Sequence, residues 1–351
     1  MSISCIAFYA SICLAIQVNS IVGVAANMPV VFNPPLTFSI DCVVSCPTLS
    51  APSFTDETRV WGMAGPGCRT STDRGETWAN CAGAPAIAFT SASSIAEASD
   101  GSIVMGGRPT GDVPNSCAIY RSTDVGASWA TVYTGANFCT FVGGEADANH
   151  MTCLASGECV FIFRNTASSL GTVLRSVDNG ATWATEFTTA GAVGNIHTIV
   201  YDGTAGGAYG NAGSTYMRYT GGGWSTTSLA AGYQCWGSMI QNGQPYTTCQ
   251  NLSQVAALDG ITGLVDRVFT IANPFLFSNL GILSYGYSNQ VIYVYTSTPV
   301  GGQVSISLDN GASFVVLLST AQNVRGGTSY RHPVNGCVYF HVTSSRIVGF
   351  C

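Results

Sequence analysis

One octapeptide recurs four times in this 351-residue chain. It stands at residues 71–78 (STDRGETW), 122–129 (STDVGASW), 176–183 (SVDNGATW) and 307–314 (SLDNGASF), always as Ser-x-Asp-x-Gly-x-Thr/Ser-Trp/Phe. An Asp followed two residues later by Gly is turn chemistry. The carboxylate accepts backbone N–H bonds further along, and the glycine takes the positive φ of a tight reversal. The residues before and after each copy alternate as strands do, for example Leu174-Arg175-Ser176 and Val304-Ser305-Ile306-Ser307. Each octapeptide is therefore a hairpin corner.

The closing aromatic sets the architecture. Trp78, Trp129, Trp183 and Phe314 are too large for a lone two-stranded hairpin to bury, so each must pack against a neighbouring sheet. A stack of similar sheets follows. The motif resembles the Asp-box, or BNR, repeat of sialidase-like β-propellers. By that resemblance Asp73, Gly75, Trp78, Asp124, Gly126, Trp129, Asp178, Gly180, Trp183, Asp309, Gly311 and Phe314 are structural. They would join the third and fourth strands of their blades on the face opposite the binding site. The expected fold class is all-β, a propeller of four-stranded antiparallel blades.

Spacing gives the blade number. The boxes recur at about 47 residues per step, a propeller period, and the chain after Ala26 holds about seven such units. The fourth unit keeps only a glycine and a tryptophan of the box (Thr220-Gly-Gly-Gly-Trp224), and the fifth turns at Asp259-Gly260. After Phe314 three strands remain, near residues 329–331, 336–341 and 346–350. An amino-terminal strand near Val30 or Phe38 would supply the fourth and close a seven-bladed ring. Six blades with a tail is the alternative.

Residues 1–26 form an apolar leader, read as a secretory signal peptide although no Lys or Arg precedes its apolar core. Its alternative role is a retained segment that docks on a second copy by strand addition. Residues 27–351 form the single propeller, with no membrane span expected in the mature chain.

Fourteen cysteines are far too many for a reduced compartment. Cys5 and Cys13 lie in the leader. The remaining twelve fall as Cys42/Cys46, Cys68/Cys81, Cys117/Cys139, Cys153/Cys159, Cys235/Cys249 and Cys337/Cys351, a disulfide framework with the pairing open. Local loops of this size stabilise by about 2–3 kcal/mol each. No His-bearing pair sits at zinc-finger spacing, so neither metal nor cofactor is expected. Asn251-Leu-Ser253 is a glycosylation sequon.

All twelve basic residues are Arg, scattered along a chain of net charge −6, which argues against nucleic acid as partner. The loops on the face opposite the boxes offer Arg108, Asp112, Glu145, Asp147, His150 and Trp236 as binding candidates, the chemistry of a sugar site. Exposed carboxylates and rings of this kind also occur on any solvated rim. True sialidases carry an Arg-Ile/Leu-Pro motif, three substrate-gripping arginines and a Tyr/Glu nucleophile pair. Here only Arg59 and Arg69 precede the first box, both in predicted strands, and no catalytic residue is assigned.

The reading is a secreted binding or structural module at a cell or particle surface, with a glycan or surface protein as ligand. One alternative is a glycoside hydrolase using two loop-face carboxylates. The other is a self-assembling surface or filament subunit that uses its apolar N-terminal segment.

Overall fold

The structure, a computed structural model, describes residues 37–41, 48–52, 55–56, 58–64, 67–73, 75, 77–84, 94–107, 117–135, 139–140, 150–165, 168–193, 196–210, 215–250, 255–269, 283–286, 292–298, 301–307, 309, 312–320, 329–331, 338–343 and 346–350. Among the described residues seven antiparallel sheets follow one another, six of four strands and one of five. Each is a meander from an inner to an outer strand. The inner strands are Thr48–Pro52, Ser94–Glu97, Met151–Cys153, Ile196–Tyr201, Gln234–Gln241, Leu283–Gly286 and Ser329–Arg331. Each lies against the inner strand of the next sheet, and the seventh lies against the first. The sheets are blades of a closed ring, a β-propeller.

Closure uses both ends of the described chain. The seventh blade has inner strand Ser329–Arg331, then Val338–Thr343 and Arg346–Phe350. Its outer strand is Thr37–Asp41, which runs antiparallel to Arg346–Phe350 with Thr37 opposite Phe350 and Asp41 opposite Arg346. Phe38, one of the two anchors expected for this strand, falls opposite Gly349.

The core lies between blades, because a blade is buried on both faces. In the second strand of blade three, Cys159–Asn165, Phe161 and Phe163 pack with Ala96, Val104 and Ile119 of blade two. The alternate residues Val160 and Ile162 pack with Ile199, Tyr201 and Met217 of blade four. A period of two thus feeds two cores at once. Each fully buried Phe or Ile contributes about 1.5–3 kcal/mol.

The octapeptides are corners joining third to fourth strands. In the first, the Ser71 hydroxyl donates to Asp73 Oδ1 at 2.6 Å and accepts the Gly75 N–H at 2.7 Å. Asp73 Oδ1 also accepts the Thr77 N–H at 2.8 Å, and the Trp78 indole N–H donates to the Gly75 carbonyl at 2.9 Å. The same bonds recur at Ser122, Asp124, Gly126, Ser128 and Trp129, and at Ser176, Asp178, Gly180, Thr182 and Trp183. Asp309 takes its bonds from Ser307 and Ser313. Gly180 has φ +75, and a Cβ there would stand 2.5 Å from Val104 Cγ2 of the preceding blade. Trp129 and Trp183 pack against the cores shared with the preceding blade, and the Phe314 ring meets Phe269 of blade five at 5.3 Å.

Blade four departs from the pattern as expected. Gly221 and Gly223 take positive φ between strands Thr215–Thr220 and Trp224–Ser228. Trp224 stays inside, stacked on Tyr201 at 6.0 Å between centroids, but its indole N–H is buried with no hydrogen-bond partner. In the same blade a Cβ on Gly207 would fall 1.5 Å from the Tyr216 hydroxyl oxygen, so glycine admits that buried ring.

Among the described residues three cysteine pairs are disulfides. Cys153–Cys159 and Cys235–Cys249 each join directly opposed residues of a blade's first two strands. Cys68–Cys81 ties the third strand of blade one to the residue after its outer strand. Cys117 is disulfide-bonded too. Cys42, Cys46, Cys337, Cys351 and the Cys139 side chain lie outside the described residues, as do Gly311 and Asn251. Ala130–Gly135 is the outer strand of blade two, and Cys139–Thr140 pairs with Arg164 and Asn165 as a fifth strand of blade three.

Candidate functional site

The propeller has two faces. One carries the corners together with the turns between first and second strands. Asn179, at the corner of blade three, shows how they meet. Its N–H donates to the Gly157 carbonyl at 2.8 Å, and its own carbonyl accepts Arg121 Nε of blade two at 2.9 Å. Arg121 also reaches Asp100 at 2.8 Å. The corner of one blade is thereby latched to the turn of the blade before it.

The densest ionisable group on this face joins blades three and four. Arg175 donates through Nε to Glu158 Oε1 at 2.9 Å and through Nη1 to Glu186 Oε1 at 3.3 Å. The Tyr201 hydroxyl, at the end of blade four's inner strand, donates to the same Glu158 oxygen. Hydrogen bonding to Glu158 holds the Arg175 guanidinium above its ordinary pKa. Burial, aided by Glu158, pushes the Tyr201 phenol well above the usual tyrosine range.

Tyrosine, glutamate and arginine side by side match the residue types of a sialidase centre, but the geometry does not serve that chemistry. Tyr201 is buried between Tyr219 and Trp224 and its phenol is pushed well above the usual tyrosine range, so this tyrosine is not presented to a substrate. The arrangement is a clamp between blades.

Blade five holds a second cluster on the same face. Arg267 lies 4.8 Å over the Tyr246 ring and donates to Gln241 at 2.6 Å and Asp266 at 2.7 Å. No group of three or more His, Cys, Asp or Glu placed to hold a metal occurs among the described residues.

The corner carboxylates are strongly acidic. Asp124 is lowered to about 2 by hydrogen bonds from Ser128 and then Ser122. At Asp73 and Asp178 burial opposes ionisation, but the hydrogen bonds from Ser71 and Thr77, and from Thr182 and Ser176, outweigh it. These carboxylates are saturated acceptors. They have no proton to give near neutral pH.

The opposite face is where the binding candidates were expected. Arg108, Asp112, Glu145 and Asp147 lie outside the described residues. Trp236 sits in the inner strand Gln234–Gln241 of blade five. His150 precedes the inner strand of blade three and is only 1% exposed. Its N–H donates to Ser94 Oγ of blade two at 2.7 Å, and its carbonyl accepts the Ile162 N–H at 2.9 Å. The histidine is thus an interior residue at the junction of two inner strands.

Two residues that organise the ring were not singled out in the sequence. Glu97, 1% exposed, accepts the Trp61 indole N–H at 2.7 Å and the Thr55 hydroxyl at 2.8 Å. Glu158 is the other. The available signal was a Glu beside an Asp-Gly or Ser-Gly turn at the first hairpin of a blade, and it cannot be told from an ordinary surface Glu without the facing blade.

No family model and no curated protein matches the chain. Solved propellers do. The structure described as YCF48 bound to D1 peptide has a TM-score of 0.62 at 15% identity, covering 93% of this chain and 99% of that one. The Niastella koreensis GH74 enzyme has a TM-score of 0.58 at 14% identity, covering 88% of this chain and 53% of the enzyme. BamB from Moraxella catarrhalis has a TM-score of 0.50 at 13% identity, with 91% and 99% covered. These likenesses establish the propeller fold.

Proposed function

We propose that the chain is a secreted, non-catalytic propeller of the Asp-box kind, serving as a binding module at a cell or particle surface for a protein or glycan ligand. The ligand sits on the face opposite the corners. The observation that carries this reading is the use made of the charged groups. Arg121, Arg175, Glu97, Glu158 and the corner aspartates are engaged in holding turns and blades to one another. The result is a stiff frame that presents the loops of the other face. Disulfides between directly opposed strands fit an oxidising compartment. The likeness over nearly the full length to a propeller solved with a bound peptide supports a polypeptide segment as one ligand class.

The test is a binding screen of the secreted protein against glycan and peptide arrays, run beside a hydrolysis assay on the bound glycans. Saturable binding without turnover is expected, together with an intact mass that begins near Asn27 and rises on reduction. Turnover of any glycan would move the protein to the hydrolase reading. An intact mass that retains Met1, in a particle much larger than one chain, would replace it with the assembly reading.

A further inference from the structure

Two of the described turns contain the dipeptide Asn-Gly, at Asn179–Gly180 and at Asn242–Gly243. Asn310–Gly311 and Asn335–Gly336 repeat it outside the described residues. The sequence is chemically labile, because glycine has no Cβ to keep its nitrogen away from the side-chain amide of the residue before it. In both described turns the Asn and the Gly take positive φ, 58 and 75 in the first and 54 and 70 in the second. The two dipeptides are therefore matched in sequence and in local backbone shape, and they differ in what surrounds them.

Asn179 is bonded through its side chain and its backbone. Its Oδ1 accepts the Ser99 hydroxyl at 2.9 Å, its N–H donates to Gly157 and its carbonyl accepts Arg121 Nε. The Gly180 N–H donates to Ser176 Oγ at 2.9 Å. The nitrogen that would attack is committed, and so is the amide it would attack. Asn242 and Gly243 form the tip of the first hairpin of blade five, where Gln241 pairs with Gln244 across a two-residue turn. Arg267 holds the Gln241 side chain at 2.6 Å, and the Tyr246 hydroxyl holds that of Gln244 at 2.9 Å. Between these two glutamines Asn242 and Gly243 are exposed, and neither the Asn242 side chain nor the Gly243 N–H has a hydrogen-bond partner among the described residues. A Cβ built on Gly243 would meet nothing within 4 Å.

We propose that Asn242 is a site of spontaneous covalent modification, deamidation through a cyclic imide, while Asn179 is kept from the same reaction by its hydrogen bonds. The Gly243 nitrogen forms a bond to Asn242 Cγ and the Cγ–Nδ2 bond breaks. The side-chain nitrogen leaves as ammonia, taking the proton of the Gly243 N–H. Water then opens the ring at either carbonyl. One opening gives aspartate; the other gives isoaspartate, in which the main chain runs through Cβ and is one methylene longer. Either product adds a negative charge to a chain of net charge −6. The hairpin survives the change, because its two strands are paired along their length and joined near the far end by Cys235–Cys249. Modified molecules therefore accumulate in the folded state.

Peptide mapping of the intact, oxidised protein, aged at body temperature in mildly alkaline buffer, tests it. Trypsin cuts this lysine-free chain only at Arg, so peptide 176–218 carries Asn179 and peptide 219–267 carries Asn242. A gain of one dalton located at Asn242 should appear at least about tenfold faster than one at Asn179, since two hydrogen bonds must open before Asn179 can react. In urea with the disulfides reduced, where neither turn persists, the two rates should converge. Asn242→Gln, which would have to close a larger ring, should lose the gain at that position and leave the slow one at Asn179. Native protein in which Asn242 stays intact while the urea-treated chain reacts there would overturn the proposal. So would equal rates at the two asparagines in the native protein.

Discussion

The indole N–H of Trp61, in the second strand of blade one, donates to Glu97 Oε2 at 2.7 Å, at the end of blade two's inner strand. Trp61 is fully buried and Glu97 nearly so, and Oε1 of the same carboxylate accepts the Thr55 hydroxyl at 2.8 Å and its N–H at 3.3 Å. A buried acceptor with three donors aimed at it cannot be removed without stranding them. Glu97→Ala should lower stability by about 3 kcal/mol, and Glu97→Gln by about half as much, since the amide keeps one acceptor oxygen. A shift of the urea midpoint at constant slope would show it.

The corner of blade two holds a β-branched residue where the backbone is left-handed: Val125 has φ 57, and its counterpart in blade three, Asn179, has φ 58. Asparagine adopts that conformation readily, whereas a β-branched valine adopts it at a cost. Val125→Asn should raise stability by about 0.5–1 kcal/mol in thermal unfolding, although it removes no clash and adds no buried contact. An unchanged or lower midpoint would show that the valine makes a compensating contact.

The corner aspartates make the fold acid-sensitive in a defined window. Asp124 is held at about 2 in the folded chain by Ser128 and Ser122. An unfolded aspartate titrates near 3.9, so the folded state binds fewer protons and is the more stable at higher pH. That contribution is complete above pH about 4 and fades as the pH falls toward 2. Asp124→Asn should flatten the stability profile between those values while leaving the slope near neutrality unchanged.

Trp183 and Trp224 close equivalent corners in different ways. The Trp183 indole N–H reaches the Gly180 carbonyl at 3.0 Å, whereas that of Trp224 is buried without a partner. Trp183→Phe loses a hydrogen bond as well as volume, about 1 kcal/mol for the bond alone. Trp224→Phe removes an unsatisfied donor, which offsets part of its lost volume. Side-by-side chemical denaturation should show Trp224→Phe as the milder change.

What could be read from the sequence was local or periodic. Asp178 and Gly180 fix a corner within eight residues, and Trp183 announces a neighbour by its size, so the stacked sheets followed from short stretches of chain. Strand Thr37–Asp41 was foreseen because blade seven came up one strand short. Glu97 and Glu158 were not, because their roles depend on Trp61, Thr55, Arg175 and Tyr201, and three of those four lie on another blade or in a loop facing it. His150 looked like a loop residue by its polarity, but the backbone bonds to Ser94 and Ile162 draw it inside. The exposure of Val268 and Val315 went unread because valines in a strand look like core.

The pairing of Thr37–Asp41 with Arg346–Phe350 bears on how the protein is made. On a ribosome the outer strand of blade seven emerges before the six other blades, while its partner comes some 300 residues later. Joining strands so far apart in the chain costs about 5 kcal/mol of closure entropy beyond a constant. The nascent chain must therefore wait, blade by blade, with one strand lacking its mate and the ring still an open arc. The ring closes only when Thr37–Asp41 meets Arg346–Phe350, a pairing that no blade can make by itself.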